Sequence, residues 1–204
     1  MAHIRIPLEF QTFLKDLGLN GTPHTLKGVP LSGGVSSDIW RIDLPSGPIC
    51  IKKALSKLKV QADWTAPIER NANEVKWMKV AAQIISDHVP PILADDPEIG
   101  MFAMPFLHPD KFKVWKTDLL LGNVDQEFAS SVGSALAKVH AATIGDEYTA
   151  KAFATDAIFH SIRLEPYLET TAQVHTDVAE ALHKLVTQTS TTRQALVHGD
   201  ISPK

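Results

Sequence analysis

The chain has 204 residues, 44% of them apolar and 21% charged, with a formal charge of -3. That is enough chain to bury one large core or two small ones; it excludes a disordered polymer and speaks against a nucleic-acid binder, which would gather Lys and Arg on one face. A single cysteine excludes a disulfide framework. No run approaches the roughly 18 apolar residues of a membrane helix, so the expected setting is cytoplasmic, with neither nucleic acid nor membrane as partner.

In chain order, "PLEFQTFLKDLG" places Leu8, Phe10, Phe13, Leu14 and Leu17 at helical spacing between Pro7 and Gly18. "TLKGVPLSGG" and "SSDIWRIDL" read as two strands joined at Gly33 and Gly34, followed by the strand "GPICIKKAL" after a hairpin turn at "PSG". "TAPIERNANEVKWMKVAAQII" predicts a helix with Thr65 as a cap and Pro67 in its first turn. "PPILADDPEIGMFAMPFL" returns to strand, turn and strand, the turn carrying Asp95, Asp96 and Pro97. "LHPDKFKVWKTDLLLG" has the mixed polarity of a linker, and "VDQEFASSVGSALAKVHAATI", "TDAIFHSIRLEPYL" and "AQVHTDVAEALHKLVTQT" then read as three helices. The fold class is therefore α+β, with a sheet-rich N-terminal lobe over 1–107 that contains an inserted helix, and a helical lobe over 108–204.

Four stretches offer chemistry. The glycines of "LSGGVSSD" can bring backbone amides close to an anion, and Ser36 and Ser37 add hydroxyls; a plain hairpin loop uses glycines equally well. In "ICIKK", strand alternation puts Cys50 and Lys52 on one face and Ile49, Ile51 and Lys53 on the other. Cys50 between isoleucines reads as an inert buried thiol. An inward lysine needs an anionic partner, whereas an edge strand would leave both lysines in water. The following helix supplies Glu69 and Glu74 as that partner; Glu74, beside Val75 and four residues before Met78, has the better phase toward the sheet. Finally, in "ALVHGDISPK", an aspartate on a rigid loop can orient a hydroxyl and accept its proton while His198 holds the loop, although a turn with Asp200 as a cap uses the same residues.

The order glycine hairpin, strand lysine, helix glutamate, apolar strand, helices and His-x-Asp is similar to that of a protein-kinase-like phosphotransferase. With "LVHGD", and His140 in "LAKVH" about 58 positions before His198, the chain resembles the aminoglycoside phosphotransferase and choline kinase group of small-molecule kinases. The resemblance implies a protein kinase-like fold, ATP and Mg2+ as cofactors, and a small-molecule hydroxyl as phosphate acceptor. It also implies that Gly33, Gly34, Ser36 and Ser37 cover the phosphates, that Lys52 holds them and that Glu74 positions Lys52. Met104, Pro105 and Leu107 would border the adenine. Asp200 would be the catalytic base, with His198 in the same loop, and "IFHSIRLEPYLET" would offer Phe159, Arg163, Glu165 and Tyr167 on the acceptor side, although a buried helix edge accounts better for its aromatics. The group's metal-binding asparagine falls five positions after this aspartate, one beyond Lys204, so no metal ligand is expected within these residues. On this reading the chain is a catalytically silent N-terminal piece of a longer enzyme, and its uncovered helix surface favours self-association. A nucleotide-binding pseudokinase or regulatory module is the alternative, and an interaction module with no nucleotide is a third reading.

Overall fold

The computed structural model describes residues 4–18, 26–31, 34–61 and 64–203. The chain divides into two compact units, Met1–Val114 and Trp115–Lys204.

Among the described residues, the first unit is built on a six-stranded antiparallel sheet in the order β1-β2-β3-β4-β6-β5. The strands are β1 (Ile4–Arg5), β2 (Lys27–Leu31), β3 (Ser37–Leu44), β4 (Gly47–Ala54), β5 (Ala94–Asp96) and β6 (Met101–Pro105). Helix α1 (Leu8–Asp16) covers one face: Phe10, Phe13 and Leu14 are buried with Ile42, Leu44, Ile49, Ile51, Met101 and Ala103. The alternation in "ICIKK" is thus realised, with Ile49 and Ile51 in this core. Lys53, on the same face, forms an ion pair with Glu9 of α1. At Gly28 a side chain is sterically excluded, since a Cβ would come within 2.7 Å of Ile6 Cγ2 and 2.8 Å of the Arg41 carbonyl oxygen.

Helix α2 spans Arg70–Ile84. Its cap falls four residues later than the proposed Thr65: Glu69 is the N-cap, without a side-chain capping bond, and Thr65 instead bridges Lys57. Asp95 and Asp96 also differ from expectation. They lie in β5, and the turn runs over Pro97–Gly100, where Gly100 has a φ of +63° that favours glycine.

The second unit is helical: α3 (Trp115–Leu120), α4 (Gln126–Thr143), α5 (Glu147–Ala152), α6 (Asp156–Phe159), α7 (Thr170–Val174) and α8 (Ala179–Thr191). The first of these lies in the stretch read as a linker. Its α4 is capped by Asp125, whose side chain accepts from the Phe128 N–H at 2.9 Å. Between α6 and α7 the backbone runs as a π-helix over His160–Glu169 with Pro166 inside it. Proline has no N–H and its ring clashes with the carbonyl one α-turn back, so the wider register accommodates a residue that an α-helix would reject. The third predicted helix is also divided: α7 ends at Val174 and α8 starts at Ala179. The architecture is therefore α+β: an antiparallel sheet with helices, followed by a helical region. Among the described residues no helix is long and apolar enough to cross a membrane.

Candidate functional site

The sheet face opposite α1 carries Lys52. Across the strands its neighbours are Ile39 on β3 and Phe102 on β6, while Cys50, two residues back, lies between Arg41 and Met104. The Lys52 ammonium stands 5.9 Å from the Phe102 ring centroid and donates to both oxygens of Glu74, at 2.6 and 2.8 Å. Of the two helix glutamates, Glu74 is the one that meets the lysine; Glu69 serves as the N-cap of α2. With 22% of its side chain exposed, Lys52 keeps an open approach besides this partner.

Cys50 is 5% exposed, and burial pushes its thiol up from 9.0 to about 11, with the Lys52 charge opposing the shift. The folded chain therefore holds this proton over a range in which the unfolded chain releases it. Stability should be intact below about pH 9 and fall as pH rises toward about 11; Cys50→Ala should remove that part of the slope in denaturant titrations. A native thiol that reacted with alkylating reagent at pH 8 as fast as a free cysteine would contradict this burial.

The glycine-rich stretch is described from Gly34 onward; Gly33 lies outside the described residues. The space above Gly34 is open, since a Cβ there would meet nothing closer than 3.9 Å, so packing does not require this glycine. Ser36 is half-buried, and its carbonyl accepts from the Leu55 N–H at 3.0 Å. Ser37 is the first residue of β3, paired with Ala54 and only 6% exposed, which places it in the sheet rather than in the loop. Farther along β6, Met104 lies on the Lys52 face and Pro105, paired with Ile49, on the α1 face; both are half-buried, and Leu107, beyond the strand, is exposed. The Phe106 N–H is taken by the Pro48 carbonyl at 3.2 Å, whereas among the described residues nothing takes up the Leu107 N–H. Arg41, paired with Asp43 at 2.8 Å, sits 4.8 Å from the Phe106 ring centroid.

Arg70 and Asn71 carried no distinctive sequence signal. Arg70 Nη1 donates to the carbonyls of Ala66 (3.0 Å) and Pro67 (2.7 Å), and Nη2 to those of Ser36 and Leu55 (2.6 Å each). Burial pushes its pKa below the ordinary arginine value, opposed by Glu74 and then Glu69. Asn71 is 1% exposed and, among the described residues, neither of its buried amide atoms has a hydrogen-bond partner.

In the second unit the loop of His198, Gly199 and Asp200 is held at both ends. Thr143 of α4 donates to the Val139 carbonyl at 2.8 Å and accepts from the Leu196 N–H at 3.0 Å, fixing the approach to the loop. Gly199 has a φ of +76°, and a Cβ there would lie 3.0 Å from the Phe159 ring, so both backbone and space call for glycine. The Asp200 N–H donates to His198 Nδ1 at 3.3 Å. Arg163, from the π-helix, donates through Nε to the Gly199 carbonyl at 3.2 Å and through Nη2 to the Asp200 carboxylate at 2.7 Å. Of the other acceptor-side candidates, Tyr167 is 58% exposed and Glu165 is exposed. A shallow cleft of about 370 Å³ in this unit is lined by Lys116, Leu119, Leu120, Ser202 and Pro203.

Among the described residues no three His, Cys, Asp or Glu side chains gather as a metal site would need. Compared with known proteins, the chain matches no family model and no curated protein.

Proposed function

We propose that the chain binds ATP on the sheet face that carries Lys52 and that it belongs to a small-molecule kinase of the aminoglycoside phosphotransferase and choline kinase kind, with a protein kinase-like fold. The observation that carries the reading is the Lys52–Glu74 pair. A lysine on a central strand, anchored through both carboxylate oxygens of a helix glutamate, is a cation held in one place with one side open. Such a group suits the α and β phosphates of a nucleotide, where catalysis depends on positioning and charge compensation. Other features of this unit fit the same ligand. Open space at Gly34 lets backbone approach a phosphate, and the Leu107 N–H, which has no partner among the described residues, can meet the edge of a base. Mg2+, entering with the nucleotide, would supply charge neutralisation for the transfer. Asp200 would orient the acceptor hydroxyl and take its proton, with Arg163, itself anchored on the Gly199 carbonyl, holding the carboxylate in place.

A second reading, nucleotide binding without transfer, is favoured by the same arginine. Arg163 Nη2 already occupies the Asp200 carboxylate at 2.7 Å, a position that an acceptor hydroxyl would otherwise take.

Thermal unfolding with and without ATP and Mg2+ tests the binding. With ATP a hundredfold above its Kd, stabilisation of about 2.7 kcal/mol should raise Tm by about 5 °C or more. A Tm unmoved by millimolar ATP or ADP, with or without Mg2+, would count against any nucleotide role. Transfer of the γ-phosphate to a panel of alcohols and aminoglycosides then separates the two readings.

A further inference from the structure

We propose that Arg70 is a positioning residue that ties the Gly34–Ser37 segment and the end of β4 to the helix bearing Glu74, so that the phosphate-facing loop and the Lys52–Glu74 pair are held in one arrangement. The proposal rests on the nucleotide reading above for its functional consequence.

The geometry comes from one planar fork. Its two terminal nitrogens reach four carbonyls on three segments: Ser36 before β3, Leu55 just after β4, and Ala66 and Pro67 at the entry to α2. Leu55 lies three residues beyond Lys52, and Glu74 is one helical turn beyond Arg70, on the same side of α2. Each of the segments that carries a candidate phosphate contact is therefore fixed to the same guanidinium. Backbone bonds share the load: the Leu55 N–H donates to the same Ser36 carbonyl at 3.0 Å, and the Lys59 N–H donates to the Val35 carbonyl at 2.8 Å. The entry to α2 has no side-chain cap and no acidic residue in its first turn, so what ties this end of the helix to the sheet is the guanidinium's grip on the carbonyls and not a capping side chain. Lysine could not replace it. An ammonium offers its protons from one nitrogen and cannot span carbonyls that face two separate guanidinium nitrogens. A helix that could swing away from the strand lysine would break the Lys52–Glu74 pair. Here the clamp makes that pair a standing feature of the fold.

The test uses the 204-residue chain, with ATP as the probe. Arg70→Lys should speed amide hydrogen exchange at Leu55 and Lys59 about tenfold or more and weaken ATP binding about tenfold. Lys52→Met should weaken ATP binding while leaving those exchange rates as they are in the unsubstituted chain, because it removes a ligand contact and not the clamp. A purely structural arginine would lower Tm without this pattern. Unchanged exchange in Arg70→Lys overturns the proposal, as does unchanged ATP affinity in that variant while Lys52→Met weakens it. If the unsubstituted chain fails to bind ATP, the nucleotide reading falls, and the exchange rates alone judge the clamp. Should Arg70→Lys not fold, nitrogen-15 NMR of the unsubstituted chain replaces it. Separate, slowly exchanging Nη–H signals for Arg70 that shift on adding ATP support the clamp, and one rotationally averaged signal contradicts it.

Discussion

Replacing Lys52 with methionine is expected to weaken ATP binding about 10- to 100-fold, the loss of one charge-assisted contact worth about 1.5–3 kcal/mol. The neighbouring substitution, Lys53→Met, should leave affinity within about twofold. Strand alternation is the reason for the contrast. Lys52 stands on the face that meets Glu74, while Lys53 stands on the α1 face and is engaged by Glu9. Removing Lys53 should therefore show as a small loss of stability and not as a loss of binding. Glu74→Gln should fall between the two, weakening binding about tenfold, because an amide anchors the ammonium less firmly than a carboxylate. Calorimetric titration of the three variants, with circular dichroism to confirm the fold, measures these differences. Equal losses for Lys52→Met and Lys53→Met would remove the face assignment on which the site is built.

The second large effect concerns Asp200. In any polypeptide that contains these residues and turns over ATP with a hydroxyl acceptor, Asp200→Asn should lower turnover about 10²-fold or more while nucleotide affinity stays within about twofold. That split is expected for a group that acts on the acceptor and does not hold the nucleotide. Arg163→Met should have a smaller effect on turnover, because Gly199 and Phe159 still fix the loop from the other side. Turnover unchanged by Asp200→Asn would take Asp200 out of the chemistry and leave the binding-only reading.

The sheet-rich unit was the more legible part of the sequence, for identifiable reasons. Alternation in "ICIKK" separates Lys52 from Lys53 because side chains on a strand point to opposite faces in turn, and the core then chooses the isoleucine face for α1. The helical phase of Val75 and Met78 likewise pointed to Glu74 over Glu69. The start of α2 was not legible. Thr65 and Pro67 carry ordinary start signals, but the carbonyls there are satisfied by Arg70, an arrangement that depends on tertiary contacts with Ser36 and Leu55. β1 is too short to leave a pattern, with two residues against a strand whose Gly28 gives it room. In the helical unit the apolar spacing around Pro166 reads as an α-helix, and only the backbone shows the π register. The Arg163–Asp200 bridge spans 37 positions, beyond the reach of any local periodicity.

The most direct test of the central claim is a hydrogen-exchange footprint of ATP on the intact chain. The account predicts slowed exchange over Gly34–Ser37, along β4 around Lys52 and at the Leu107 amide, with little change along α1 on the opposite sheet face. An ATP footprint that leaves all three of these regions untouched would contradict it.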